Sequence, residues 1–192
     1  IPVTTDVIWA NAGHSGPPSW SPSDGAMTCD GKTICQMIQQ IYGSNGFLLA
    51  SFYPYLDVKG WVNNNGLHFA QNLLPYVLFQ NPSLGPVNNQ FDSDYSTLRY
   101  AMTAGGFENI TVLVSETGWA TAEYSPFATV ANANTYLNGY NTWNTNNNLG
   151  LTTFWFEMYD ESEKPGSADE QHYGLYTGGS TLKTGITLPD WL

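Results

Sequence analysis

The stretch Ile110-Thr-Val-Leu-Val-Ser-Glu-Thr-Gly-Trp119 limits the possible folds of this chain more than any other, because an apolar, β-branched run ends abruptly in a carboxylate, a glycine and an indole. Its first half has the make-up of a strand buried on both faces. Burying an ionised carboxyl without partners is costly or shifts its pKa, so Glu116 is expected either to point into a polar pocket or to cap the helix that follows. Three other apolar runs resemble it. Residues 1–9 read as a strand with no lead-in, residues 47–55 end in Tyr53-Pro54-Tyr55, and residues 151–159 lead into Asp160-Glu-Ser-Glu-Lys164. A central strand interior would reject Pro54, so Tyr53 and Tyr55 fall at or just past a strand end.

Helical spacing fills the gaps between these runs. It covers Thr33 to Tyr42, with Ile34, Met37, Ile38 and Ile41 on one face, and Leu67 to Phe79, with Phe69, Leu73, Leu74 and Val77. A third helix, Ser93 to Ala104, is expected to open behind Asp92 or Ser93 and to close on Gly105-Gly106. The last, Ala128 to Asn144, carries Val130, Tyr136, Leu137, Tyr140 and Trp143. Strands alternating with helices predict an α/β fold with a parallel sheet, of the (β/α)8 TIM-barrel type, in which strand C-termini build the active site. Asp6, Tyr53, Glu116 and Glu161 would then share one rim. A complete barrel takes about 250 residues, whereas four units fit in these 192. Residues 1–192 therefore read as a single domain or as the C-terminal half of a barrel, covering strands 5 to 8. The first strand would expose an unpaired edge unless another polypeptide supplied the missing N-terminal half.

Five Lys and Arg against 16 Asp and Glu give a net charge of −11, which repels nucleic acid. Aromatic residues make up 15% of the chain and charged residues 11%. That mixture suits a sugar-binding cleft, and it suits a tyrosine-rich core equally well. Cys29 and Cys35 are the only cysteines. With no histidine pair nearby to complete a zinc site, they read as a small disulfide loop. The loop, the sequon at Asn109 and the low lysine content favour a secreted, extracellular or cell-wall setting. No apolar run has membrane length and no spaced acidic loop suggests calcium, so neither membrane insertion nor a metal is expected.

Val114-Ser-Glu-Thr-Gly-Trp119 resembles the nucleophile motif of family 17 glycoside hydrolases, the β-1,3-glucanases of plants, fungi and bacteria. Val3-Thr-Thr5 is similar to that family's fifth strand and Phe52-Tyr-Pro-Tyr55 to its sixth. Phe156-Glu-Met-Tyr-Asp-Glu-Ser-Glu-Lys164 resembles the segment ending the eighth strand, and Glu170-Gln-His-Tyr-Gly-Leu-Tyr176 the closing motif. The resemblance implies that Glu116 is the retaining nucleophile, that Glu161, Lys164 and Glu170 support it, and that Tyr53, Tyr55 and Trp119 contact substrate. Lys164 could pair with Glu116 or Glu161, and Glu161 and Glu170 could equally form an ion-pair network around it. Glu157 reads as a hydrogen-bonded buried carboxyl and His172 as a packing residue. Carboxylates and water suffice for this chemistry, so no cofactor is expected.

One motif of the family is absent. Its acid/base glutamate lies in a Gly-Asn-Glu sequence ending the fourth strand, and this chain contains none. Asp6 is the nearest substitute by position and departs from the family pattern. Three readings follow: the C-terminal half of a retaining endo-β-1,3-glucanase acting on β-1,3-glucan, a transglycosylase with the same intermediate, or a non-catalytic glucan-binding or wall protein. A fragment with no function separate from its parent is a further alternative.

Overall fold

The computed structural model describes residues 6–8, 36–37, 39–58, 64–73, 77, 79–81, 85–104, 106–147 and 149–192. Cys29, Cys35 and the Val3-Thr-Thr5 motif lie outside the described residues. In chain order come β1 (Asp6–Ile8), helical residues 36–37 and 39–42, β2 (Phe47–Ser51), α1 (Pro54–Val58) and α2 (Asn64–Ala70). A hairpin of β3 (Phe79–Asn81) and β4 (Gly85–Val87) precedes α3 (Gln90–Ala104), β5 (Thr111–Thr117), α4 (Val130–Asn146) and β6 (Thr153–Trp155).

The four expected strands form one sheet in the order β1-β2-β5-β6, and every neighbouring pair is parallel. Such an order requires crossovers between successive strands, and α3 and α4 provide two of them. The sheet is not buried alike on both faces. Leu48, Ala50, Val112 and Val114 are buried, whereas Phe47, Leu49 and Leu113, which alternate onto the opposite face, are only partly covered. The expectation of burial on both faces therefore holds on one face only among the described residues.

The covered face packs against aromatic side chains. From α4, Ala133, Tyr136, Leu137, Tyr140 and Trp143 turn inward, and from α3 come Phe91, Leu98 and Met102. Phe91 sits 4.7 Å from Tyr140, 5.0 Å from Trp143 and 5.1 Å from Phe52, ring centre to ring centre. Tyrosines can be buried here because their hydroxyls find partners on the strands: Tyr136 bonds Thr117 Oγ1 at 2.6 Å, and Tyr140 bonds Thr153 Oγ1. Much of the chain's aromatic content is thus core and not sugar platform.

Helix ends follow local chemistry, in places unlike the expectation. The segment expected as one helix from Leu67 to Phe79 stops at Ala70, and Phe79 belongs to the β3–β4 hairpin. Asn72 has φ 61, and around it Leu73 N–H bonds His68 O while Asn72 N–H bonds Phe69 O. This pair of bonds closes a helix on a left-handed residue, a role asparagine can fill without glycine. The same pattern ends α3, where Gly106 has φ 82, Phe107 N–H bonds Met102 O and Gly106 N–H bonds Thr103 O. At the start of α3 the cap is Asn89 and not Asp92 or Ser93: its Oδ1 accepts the Asp92 N–H at 2.6 Å. Thr129 caps α4 through the Asn132 N–H. No helix among the described residues is long and apolar enough to cross a membrane.

The turn after α2 leans directly on α4. Gln71 Nε2 donates to Asn132 O and Oδ1, and a β-carbon at Gly139 would overlap the Gln71 carbonyl. Gly139→Ala is therefore expected to destabilise the protein by about 1–3 kcal/mol through overpacking, although alanine is the better helix former. Urea unfolding checks this, and a gain in stability would show that α4 does not need the close approach.

Candidate active site

Glu116 owes its placement to an irregularity in β5. β2 and β5 run in register from Phe47–Thr111 to Ala50–Val114, and then Ser51 pairs with Glu116 instead of Ser115. A second shift separates the β5–β6 pairs Val114–Thr153 and Thr117–Trp155. Strict alternation would send residue 116 to the face of Val112 and Val114, against the helices. The bulged residue breaks the alternation: Ser115 and Glu116 are both partly exposed, and Thr117 takes the buried position and bonds Tyr136. Glu116 is left at the strand end facing a cleft. It does not serve as a helix cap, since α4 begins at Val130 behind Thr129.

The cleft has a volume of about 280 Å³ and is lined by Tyr53, Leu56, Glu116, Phe156, Lys164, Glu170 and Tyr173. At its base, Tyr53 Oη donates to Glu116 Oε2 at 2.8 Å. Burial, then the bond to Glu116, push the Tyr53 phenol far above its usual range, so it remains a donor at any working pH. Tyr53 itself is held by edge-to-face contacts with Phe156 at 6.1 Å and Tyr173 at 6.0 Å. One carboxylate oxygen is thereby anchored, while no hydrogen bond to protein engages Oε1 of Glu116 among the described residues.

Lys164 also lines the cleft, with its ammonium 4.0 Å from the centre of the Phe156 ring. Its carboxylate partners are Glu170 at 3.6 Å and Glu161 at 3.7 Å. Of the two pairings expected for Lys164, the one with Glu161 is present, and among the described residues Lys164 makes no ion pair with Glu116. Glu161 is 54% exposed and lies outside the lining of the cleft, whereas Glu170 lines it. Burial, then a hydrogen bond with Glu161, push the Glu157 carboxyl up to about 7. Glu157 follows β6 and is not inside it, because the strand stops at Trp155 and the chain leaves through a cis peptide between Phe156 and Glu157.

Two expected substrate contacts need correction. Tyr55 and Trp119 are both fully buried, so neither side chain presents a surface to a ligand. Tyr55 Oη donates to Asp169 Oδ2 at 2.6 Å and its ring meets Trp119 at 5.3 Å and Tyr173 at 5.8 Å. Trp119 Nε1 donates to Phe127 O. They form the floor beneath Tyr53 and Tyr173. Asn109 is exposed in the turn before β5, and the side chain of Asp6 lies outside the described residues.

Sequence reasoning did not single out Asp169, Asp160 or Tyr173. Asp169 is fully buried, receiving Tyr55 and Ser167, and so fixes the turn that carries Glu170. Asp160 Oδ1 accepts from Lys183 Nζ at 2.7 Å and from Gly174 N–H at 3.0 Å, while Oδ2 lies 3.6 Å from His172 Nδ1. These contacts clamp the Tyr173 segment beside residues 157–160, where a β-carbon on Gly174 would overlap the Asp160 backbone. The only sequence signal was position: Asp160 and Tyr173 lie within the two motifs, and Asp169 directly precedes the second. Among the described residues no group of three His, Cys, Asp or Glu side chains could hold a metal ion.

Known proteins resemble this chain in sequence and in fold. A glucan endo-1,3-β-glucosidase of Vitis vinifera is 33% identical over 192 residues, covering 97% of this chain and 54% of the grapevine protein. A plant β-glucan endohydrolase structure superposes with a TM-score of 0.72 at 24% identity, covering 96% of this chain and 59% of its own. A family 17 β-1,3-glucanosyltransferase from Rhizomucor miehei gives a TM-score of 0.60 at 20% identity, covering 97% and 50%. The chain thus spans roughly half the length of these relatives. The sequence profile of glycosyl hydrolases family 17 matches residues 1–187, and this chain belongs to that family.

Proposed function

We propose that this chain carries the nucleophile half of a retaining endo-β-1,3-glucanase, as strands 5 to 8 of a (β/α)8 barrel, with the acid/base glutamate outside the chain. The carrying observation is the Tyr53 to Glu116 hydrogen bond at 2.8 Å at the base of the cleft. A retaining hydrolase needs an ionised carboxylate with a free oxygen aimed at the anomeric carbon, and about 5 Å away a protonated acid for the leaving group. In this reading Glu116 supplies that carboxylate: the phenol holds Oε2 and orients the group, leaving Oε1 to attack. The sugar C1–O bond to the leaving group breaks as the Glu116–C1 bond forms, and the external acid protonates the departing oxygen. Water then attacks C1 with that residue acting as base, releasing Glu116.

Lys164 serves this scheme indirectly. Its pairing with Glu170 balances the acidic group that shares the cleft with the nucleophile, and its pairing with Glu161 helps hold the ammonium in place. Phe156 offers ring surface in the cleft, the buried Tyr173 backs its wall, and Tyr53 joins the contact with β-1,3-glucan. The partly covered face of the sheet and the outer edges of β1 and β6, unpaired among the described residues, fit a chain that packs against an N-terminal half-barrel. An exported location, in the extracellular space or wall, accords with the exposed Asn109 sequon, and a Cys29–Cys35 disulfide would suit it. The absent Gly-Asn-Glu motif supports a second reading, in which this chain by itself binds glucan without turnover.

Two substitutions in the whole enzyme test the assignment. Glu116→Gln should lower kcat by about 10³-fold or more while leaving the fold intact, and a mechanism-based glycosyl trap should label Glu116 in peptide mass maps. Labelling at another residue would sink the proposal. Tyr53→Phe removes one hydrogen bond to a charged group and should cost about 10- to 100-fold in kcat with KM little changed. An equal effect on KM alone would make Tyr53 a simple binding residue. The chain alone, run in a laminarin gel, should be retarded without releasing reducing sugar, and turnover by the isolated chain would show that its acid lies within it.

A further inference from the structure

The helical layer carries a second, larger concavity of about 610 Å³, and it shares no lining residue with the cleft at Glu116. It is bounded by the start of α3, one side of α4, the turn at Asn72 and Leu73, and Thr187. Along α4 the residues Asn134, Asn138, Thr142 and Asn146 recur every fourth position and form a continuous polar stripe. Seven asparagines and three threonines belong to the lining, which holds no lysine or arginine and a single acidic residue, Asp92. Phosphate and carboxylate ligands therefore find no counter-charge in a molecule that already carries a net charge of −11.

The amides have capacity left for a ligand. Asn138 Nδ2 is committed to Asn134 and to Thr187 O, while among the described residues no bond engages its Oδ1. Asn134 Oδ1 accepts the Thr187 N–H, while Asn146 makes no side-chain hydrogen bond to protein among the described residues. Asn72, held with φ 61 at the edge of the groove, keeps both amide atoms buried and, among the described residues, unpaired. Short side chains on a well-capped helix lose little freedom when they bind, so their donors and acceptors are pre-placed. Leu73, 45% exposed, and Trp143 add a modest apolar strip. Dense neutral donors and acceptors with little apolar depth match a polyhydroxylated chain and not a peptide, which needs deeper apolar pockets.

We infer that this groove is a second carbohydrate-binding site, on the helical layer, that holds a neutral glucan segment apart from the catalytic cleft. The identity of the sugar as β-1,3-glucan rests on the function proposed above, whereas the preference for a neutral glycan rests on the groove itself. Such a site would tether insoluble polymer while contributing nothing to the cleavage of short substrates.

The test compares the whole enzyme with Asn138→Ala/Asn146→Ala and with Thr142→Ala/Asn146→Ala, the second pair being exposed and safe for folding. Retention on insoluble β-1,3-glucan should fall by about fivefold, as expected for one or two lost hydrogen bonds. Turnover of a short soluble laminari-oligosaccharide and the thermal midpoint should not change. Unaltered retention by folded variants overturns the proposal, as does an equal loss of activity on the short substrate. Affinity gels containing laminarin, mixed-linkage glucan or mannan separate the two claims. Groove-dependent retardation by another neutral glycan, without hydrolysis of β-1,3-glucan, would sink the catalytic reading and leave the groove standing.

Discussion

The site depends on how β5 pairs with its two neighbours. Parallel ladders on both sides hold the strand rigidly, and the register breaks only where the chain reaches Ser115 and Glu116. One extra residue at that point exchanges the faces of everything after it, so that Thr117 enters the core and Glu116 leaves it. The exchange is stabilised from below by Thr117 bonding to the buried Tyr136, and from above by Ser51 Oγ meeting Ser115 Oγ at 2.9 Å. A regular strand would drive the Glu116 carboxylate into the packing between sheet and helices, where its charge would have no partner. The placement of the acid and the irregularity of the strand are thus a single structural fact.

The walls of the cleft are assembled from segments far apart in sequence and are held by two polar anchors. Asp169, fully buried under Tyr55, fixes the turn that presents Glu170. Asp160, bridging Lys183, Gly174 and His172, fixes the strip that presents Tyr173. Between these anchors Tyr53, Phe156 and Tyr173 contact one another edge to face, and Lys164 sits on the Phe156 ring. Aromatic rings thereby set the position of the groups that touch Glu116, since a ring held by its neighbours has few rotamers left to adopt. Tyr55, Tyr136, Tyr140, Tyr173, Trp119 and Trp143 are buried in the scaffold, and Tyr53 reaches the cleft surface.

Much of this was legible in the residues. Four apolar runs separated by helical spacing predicted a parallel sheet, and the strands appear in the expected order. Glycine marked the end of α3, and the motif around Glu116 marked a strand-end carboxylate. Other features were not legible because they arise from contacts without a local signature. The helix expected to reach Phe79 ends at Ala70 because Asn72 adopts a left-handed conformation that apolar periodicity does not report. Tyr55 and Trp119 look like substrate residues from their motifs, yet Asp169, 114 residues after Tyr55, draws the tyrosine inward.

The sequence by itself determined the family, the order of the four parallel strands and the identity of the acidic side chain at the end of β5, because hydrophobic period, turn residues and short motifs are local properties. It also determined an absence, the missing Gly-Asn-Glu motif, which no fold can supply. Tertiary structure alone decided which of the tyrosines meets Glu116, which carboxylates share Lys164 and which face of the sheet each strand-end residue occupies. Those outcomes turn on a one-residue change of register and on which side chains reach each other across the fold, and neither quantity is written in any single stretch of the chain.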